Sequence, residues 1–270
     1  MNLWKLRFRI RKWRSGFNDR SQEKSREDSG MVKVEACIRG DAAKETGLFA
    51  RAAFQGGADT IELCASMHLD GLTPPRESIE AARLAFQRPG LMVMVRPRGG
   101  DFCYSSDEIA EMRREIEIAA EAKADGVVLG ALASGGEIDA QQIGPLIELS
   151  HSLDLKATFH RAFDAVSDAQ KSLELLIQLG IDRILTSGVP WGESGSALDG
   201  VFVLNQLIQQ CAGRTEIVIG GSVSPENAPL VLKELQPWRG DLSVHAYSGV
   251  MENDKTSARK VRLLVDAVSE

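Results

Sequence analysis

Nearly every short apolar run in this chain closes on residues that can do chemistry. "VKVEAC" (32–37) carries Glu35 and Cys37, and "TIELC" (60–64) repeats the pair as Glu62 and Cys64. "LMVMVR" (91–96) runs into Arg96, Arg98 and Asp101 of "RPRGGD", and "KATFH" (156–160) into His160, Arg161 and Asp164 of "FHRAFD". Thr186 and Ser187 end "RILTS" (183–187), Gly220 and Gly221 close and follow "EIVIG" (216–220), and His245 lies in "LSVHA" (242–246). Carboxylates act as bases or orient cations, arginine grips carboxylate or phosphate with a two-pronged fork, and histidine serves as acid, base or metal ligand. Such a set suits proton-transfer chemistry on a small anion. Arg96 would clamp it, His160 beside Arg161 would shuttle a proton, and Glu35 or Glu62 would be the base or would orient the arginine.

Alternation along a strand puts Glu35 on one face with Cys37, and Glu62 with Cys64. A carboxylate turned inward needs a cation, and Arg96 on the next run is the expected partner. The alternative is a buried ion-pair network that only fixes the fold. In "RPRGGD", Pro97 stops the run and Gly99-Gly100 let the backbone turn. A tight connection needs those glycines but not two arginines, so Arg98 and Asp101 read as part of a ligand-facing loop. Asp164 could orient either His160 or Arg161. Gly220-Gly221 precede a helix start, where barrel enzymes bind phosphate, although a plain turn would look the same. His151 and Cys211 read as structural.

These residues need a scaffold that brings them together. Eight β-like runs, the seven above plus "GVVLG" (126–130), alternate with helical patterns from Met31 onward. Capping signals accompany the helices: Ser105 with Glu108, Asp139 with Gln142, Ser167 with Gln170, and Thr73 ahead of Pro74. Alternating order calls for parallel strands with helical crossovers, and eight units in this length fit a closed (β/α)8 TIM barrel. An open doubly wound sheet would need a glycine-rich loop after the first strand, where "VEACIRGDAAKE" offers only Gly40. In the barrel all the residues above converge on the mouth formed by the carboxyl ends of the strands.

The hydrophobic share of 43% supports a sizeable core, while apolar runs of five or six residues fall short of a membrane span. No secretory leader pattern opens the chain, and a cytoplasmic location is expected. The four cysteines form no C-x-x-C pair, so neither a zinc knuckle nor a disulfide framework is indicated. Residues 1–30 hold nine Lys/Arg against four Asp/Glu, leaving 23 against 34 in the remainder. The acidic body argues against nucleic acid as the main partner. Residues 1–30 are expected to be a basic, disordered extension, or an added start upstream of Met31, and 31–270 a single domain. Alternatively Trp4, Phe8 and Trp13 touch a membrane surface or an acidic partner.

"VMVRPRGGDFCYSSDE", "GGADTIELC", "ATFHRAFD", "IDRILTSG" and "SVHAYSG" together resemble the CutC family of copper-homeostasis proteins, over about residues 32–250. "DGLTPP" (70–75) and "IGGSV" (219–223) are less glycine-rich than the family pattern. The resemblance implies a (β/α)8 barrel, a part in cytoplasmic copper tolerance, and Cu(I) ligands at positions matching Cys37 and Cys64. Two thiols on strands about 4.8 Å apart could hold this soft ion, and Cys103 offers a third thiol. They could equally be small apolar core residues. Two functions follow: a copper-homeostasis protein whose partner is Cu(I), or a barrel lyase, isomerase or hydrolase acting on a small phosphorylated or carboxylated metabolite. No organic cofactor is expected, and a homo-oligomer is.

Overall fold

The computed structural model describes residues 30–269, so the expectations for residues 1–29 lie outside it. Eight parallel strands close into a barrel in chain order: β1 (Val32–Arg39), β2 (Thr60–Cys64), β3 (Leu91–Met94), β4 (Gly126–Leu129), β5 (Lys156–Phe159), β6 (Arg183–Thr186), β7 (Glu216–Ile219) and β8 (Leu242–Ala246). β8 closes on β1 with His245 opposite Glu35, and β1 meets β2 with Cys37 opposite Glu62. The helices are α1 (Ala43–Gly56), α2 (Arg76–Ala85), α3 (Ser106–Glu121), α4 (Ala140–Ser152), α5 (Ala169–Gln178), α6 (Val201–Cys211), α7 (Ala228–Glu234) and α8 (Ala258–Ser269). This is the (β/α)8 barrel that the alternating runs predict. Among the described residues no helix is long and apolar enough to cross a membrane.

Alternation sorts each strand into two faces. Val34, Ala36 and Ile38 of β1, Ile61 and Leu63 of β2, and their counterparts around the barrel join the main apolar core. The other face points into the barrel. Cys37, Cys64, Met92, Met94 and Val128 form a separate small cluster there.

Below that cluster the barrel is filled by an ion-pair layer. Arg183 Nη1 donates to Glu35 Oε2 at 2.8 Å, and its Nε lies 3.3 Å from Glu216 Oε2. Thr60 Oγ1 also donates to Glu35 Oε2, at 2.8 Å, and Ser243 Oγ to Glu216. Burial acts against the Arg183 charge, but the two carboxylates outweigh it and push its pKa up. The cation that offsets Glu35 is therefore Arg183, at the amino end of β6, and not Arg96 as the sequence led us to expect.

Two helix starts also differ from expectation. Ser105 and Glu108 form a reciprocal capping box and Asp139 accepts from Gln142 N. The cap of α5, however, is Asp168, which accepts from Lys171 N, and not Ser167. α2 starts after Pro75, because the Thr73 hydroxyl is committed elsewhere: it donates to Glu115 Oε2 at 2.7 Å and accepts from Arg96 N at 2.9 Å.

Candidate functional site

At the carboxyl end of the barrel a cavity of about 250 Å³ has two chemically distinct walls. One is rich in sulfur. Cys37, Cys64, Met67 and Met94 line it together with Glu62 and His245. The Cys37 and Cys64 thiols and a Glu62 carboxylate oxygen all lie within 4.8 Å of one another. Alternation explains the grouping: Cys37 sits opposite Glu62 in the register, and Cys64 follows Glu62 by one repeat on the same face.

Glu62 and His245 form a buried pair, with Nε2 and Oε2 2.8 Å apart. The Cys64 thiol is a longer partner of the same oxygen, at 3.5 Å. Burial alone would raise the Glu62 pKa. The His245 charge and hydrogen bonds from His245 and both thiols outweigh it and bring Glu62 to about 2. Burial works the other way on His245, but Glu62 and Cys37 hold its pKa well above the ordinary imidazole value. The pair is carboxylate and imidazolium at neutral pH. The hydrogen bond with Cys37, burial and the Glu62 charge together push the Cys64 thiol well above its ordinary value, so it is protonated.

The rest of the lining is rich in N–H donors and aromatic rings. Arg96 is 2% exposed, and its guanidinium stacks over Phe102 with Cζ 5.0 Å from the ring centroid. Nη1 donates to Leu69 O at 2.8 Å and Gly71 O at 3.3 Å, and Nη2 to Gly100 O at 3.0 Å. Arg96 thereby ties the loop after β2 to the "RPRGGD" loop, where Gly100 has φ +85°. The fork expected to clamp an anion is occupied by backbone. Only Nε is left without a partner among the described residues.

His160 is buried beside Phe102, ring centroids 5.1 Å apart. Its Nδ1 accepts from Ala162 N at 3.2 Å. Burial and the Arg96 charge lower its pKa to about 3. A neutral imidazole accepting at Nδ1 carries its proton on Nε2, which has no partner among the described residues. At neutral pH its Nε2 is a donor. Gly130 makes room for it: a Cβ there would lie 2.5 Å from His160 Cε1.

Arg161 also lines the cavity, placed by a bracket of polar groups. Asp164 accepts from Arg161 Nε at 2.7 Å, Thr186 Oγ1 at 2.5 Å, and Ser187 N and Oγ at 3.1 and 2.9 Å. Arg161 Nη2 reaches Ser187 Oγ at 2.9 Å. Asp164, Thr186 and Ser187, expected to bind ligand, instead hold the arginine.

Three further expectations change. Glu35 lies one layer down with Arg183, although one of its oxygens is within 4.8 Å of Glu62 and His245 ligand atoms. Arg98 turns away from the cavity to pair with Glu108 at 2.5 Å and Asp101 at 3.0 Å on the outer rim. Gly220 N donates to Thr186 O and Gly221 O accepts from Ala197 N, so both serve a packed turn and neither lines the cavity. Met67, Met94, Phe102 and Trp191 were missed as lining residues. Their types resemble core residues, and only the carboxyl-end positions of Met94 and Phe102 could have marked them.

The similarities to known proteins agree with this architecture. Residues 32–247 match the model of the CutC family. The family protein CutC of Aliivibrio fischeri is 38% identical over 237 residues, 88% of each chain. That of Vibrio cholerae is 45% identical over 175 residues, 65% of this chain and 67% of the relative. The solved CutC of Streptococcus agalactiae superposes with a TM-score of 0.68 at 30% identity, over 79% of this chain and 98% of that one. With its motifs, its barrel and these relatives in agreement, the chain belongs to the CutC family.

Proposed function

We propose that this protein takes part in copper homeostasis by binding one Cu(I) ion at the barrel mouth through Cys37 and Cys64. The observation that carries the reading is the sulfur-rich wall: two buried thiols within 4.8 Å of each other, with the thioethers of Met67 and Met94 on the same cavity. Thiolate and thioether ligands select soft, low-coordinate Cu(I) over harder divalent ions. The name of the Streptococcus agalactiae relative, a copper homeostasis protein, points the same way.

The electrostatics are compatible with this cargo. Two thiolates around one Cu(I) carry a single net negative charge, and the same cavity carries His245 as imidazolium, Arg96 and Arg161. The Cys64 proton has to leave when metal binds, so affinity rises with pH. A competition titration against a Cu(I)-specific chelator under reducing conditions tests the reading. One ion per chain is expected for the parent protein. Cys37→Ser or Cys64→Ser should remove most of the affinity, because a hydroxyl is a poor ligand for this ion.

A further inference from the structure

The donor wall supplies no sulfur ligand to Cu(I), yet it carries more polar groups than packing needs. Three buried polar atoms on residues lining the cavity lack partners among the described residues: Arg96 Nε, His160 Nε2 and Glu62 Oε1. Two are donors and one is an acceptor. Leaving such groups unmet in a dry site is costly, and a site that tolerates it is shaped for something that supplies the missing bonds.

Charge narrows the class. Glu62 is balanced by His245, and Arg161 by Asp164. Arg96, 2% exposed, donates only to backbone carbonyls and makes no ion pair among the described residues, with Asp70 at the exposed rim of the same cavity. One buried positive charge is thus left over, which one negative charge on a ligand would offset. The Arg96 guanidinium and the His160 imidazole that carry these donors both pack on one ring, Phe102, with Cζ and ring centroid 5.0 and 5.1 Å from its centroid. Two donors suit the two oxygens of a carboxylate. A phosphate dianion would bring more charge and more acceptors than they can meet, and the Gly220-Gly221 turn, which does not reach the cavity, adds none. Glu62 Oε1, an acceptor, calls for an O–H on the ligand, while Phe102, Leu185 and Trp191 offer apolar surface to its carbon skeleton.

We infer that the mouth binds a small hydroxycarboxylate, its carboxylate on Arg96 Nε and His160 Nε2 and its hydroxyl donating to Glu62 Oε1. This site lies beside the sulfur wall and does not depend on the copper reading.

The test is calorimetric titration of the copper-free, reduced full chain with lactate, propionate and inorganic phosphate at constant ionic strength. Lactate should bind once per chain. Propionate, which leaves Glu62 Oε1 unmet, should bind about tenfold more weakly, and phosphate more weakly than lactate. His160→Asn places an oxygen where Nδ1 accepts from Ala162 N but deletes the Nε2 donor, and should weaken lactate about tenfold. Should that variant fail to fold, Glu62→Met is the second: it should erase the preference for lactate over propionate. Absence of lactate binding at tens of millimolar, equal affinity for all three anions, or unchanged lactate binding in a folded His160→Asn or an unchanged preference in Glu62→Met would overturn the inference.

Discussion

Glu62→Gln removes the charge that keeps a proton on His245, and the consequence can be read in the pH dependence of stability. The folded His245 pKa stands well above its ordinary 6.5. Such a group contributes stability that is fully present below 6.5 and is lost as pH rises towards the folded value. In that interval the folded chain holds one proton that the unfolded chain does not, so each pH unit lowers stability by about 1.4 kcal/mol. For a domain of this size that corresponds to about 3 °C in Tm per pH unit. The interval from pH 7.5 to 8.5 isolates the effect. His160, held at about 3, is neutral in both states there. Glu115, raised to about 7 by burial, is largely ionised in both states. Cys64 contributes only above its ordinary value of 9. Scanning calorimetry of copper-free protein at several pH values in this interval should show the decline in the parent and a nearly flat line in Glu62→Gln. A parent Tm that does not fall, or a Glu62→Gln line that falls as steeply, would refute the assignment of His245 as imidazolium.

Arg183→Met should strand Glu35 and Glu216 in the barrel and cost about 3–5 kcal/mol, seen as a fall in the urea midpoint. Adding Glu35→Gln and Glu216→Gln should return part of that loss, since uncharged partners need no cation. Gly130→Ala would press a methyl into the His160 ring and should shift the His160 resonances in a two-dimensional spectrum while the barrel remains folded. Deleting residues 1–30 is expected to leave Tm within a few degrees, because β1 begins at Val32 and closes the barrel without them.

The strands were legible because nearly every apolar run ends on or beside a cysteine, a polar residue or a glycine at the mouth. β1, β2 and β8 were further marked by "VKVEAC", "TIELC" and "LSVHA", whose alternation gave the correct inward faces. What alternation cannot give is depth. In a closed barrel neighbouring strands are staggered, so Glu35 and Glu62 share a face type yet sit in different layers, one with Arg183 and the other with His245. Looking only at the carboxyl ends also hid Arg183 and Glu216, which begin their strands. The loop "RPRGGD" reads in sequence as ligand-facing, but its two arginines spend their forks on backbone and on Asp101 and Glu108. Such commitments depend on how loops fold back, which no periodicity encodes. Only the motifs singled out the cysteines as candidate ligands, since two buried thiols look the same in sequence whether they bind metal or only pack.

The most direct measurement of the central claim is Cu(I) affinity of the parent and of the Cys37→Ser/Cys64→Ser double variant, by chelator competition at pH 6.5, 7.5 and 8.5 with the chelator's own protonation accounted for. The account predicts one ion per parent chain, affinity that tightens at least tenfold per pH unit as thiol protons are displaced, and loss of both in the double variant. A double variant that binds Cu(I) as tightly as the parent, or a parent affinity that does not change with pH, would contradict it.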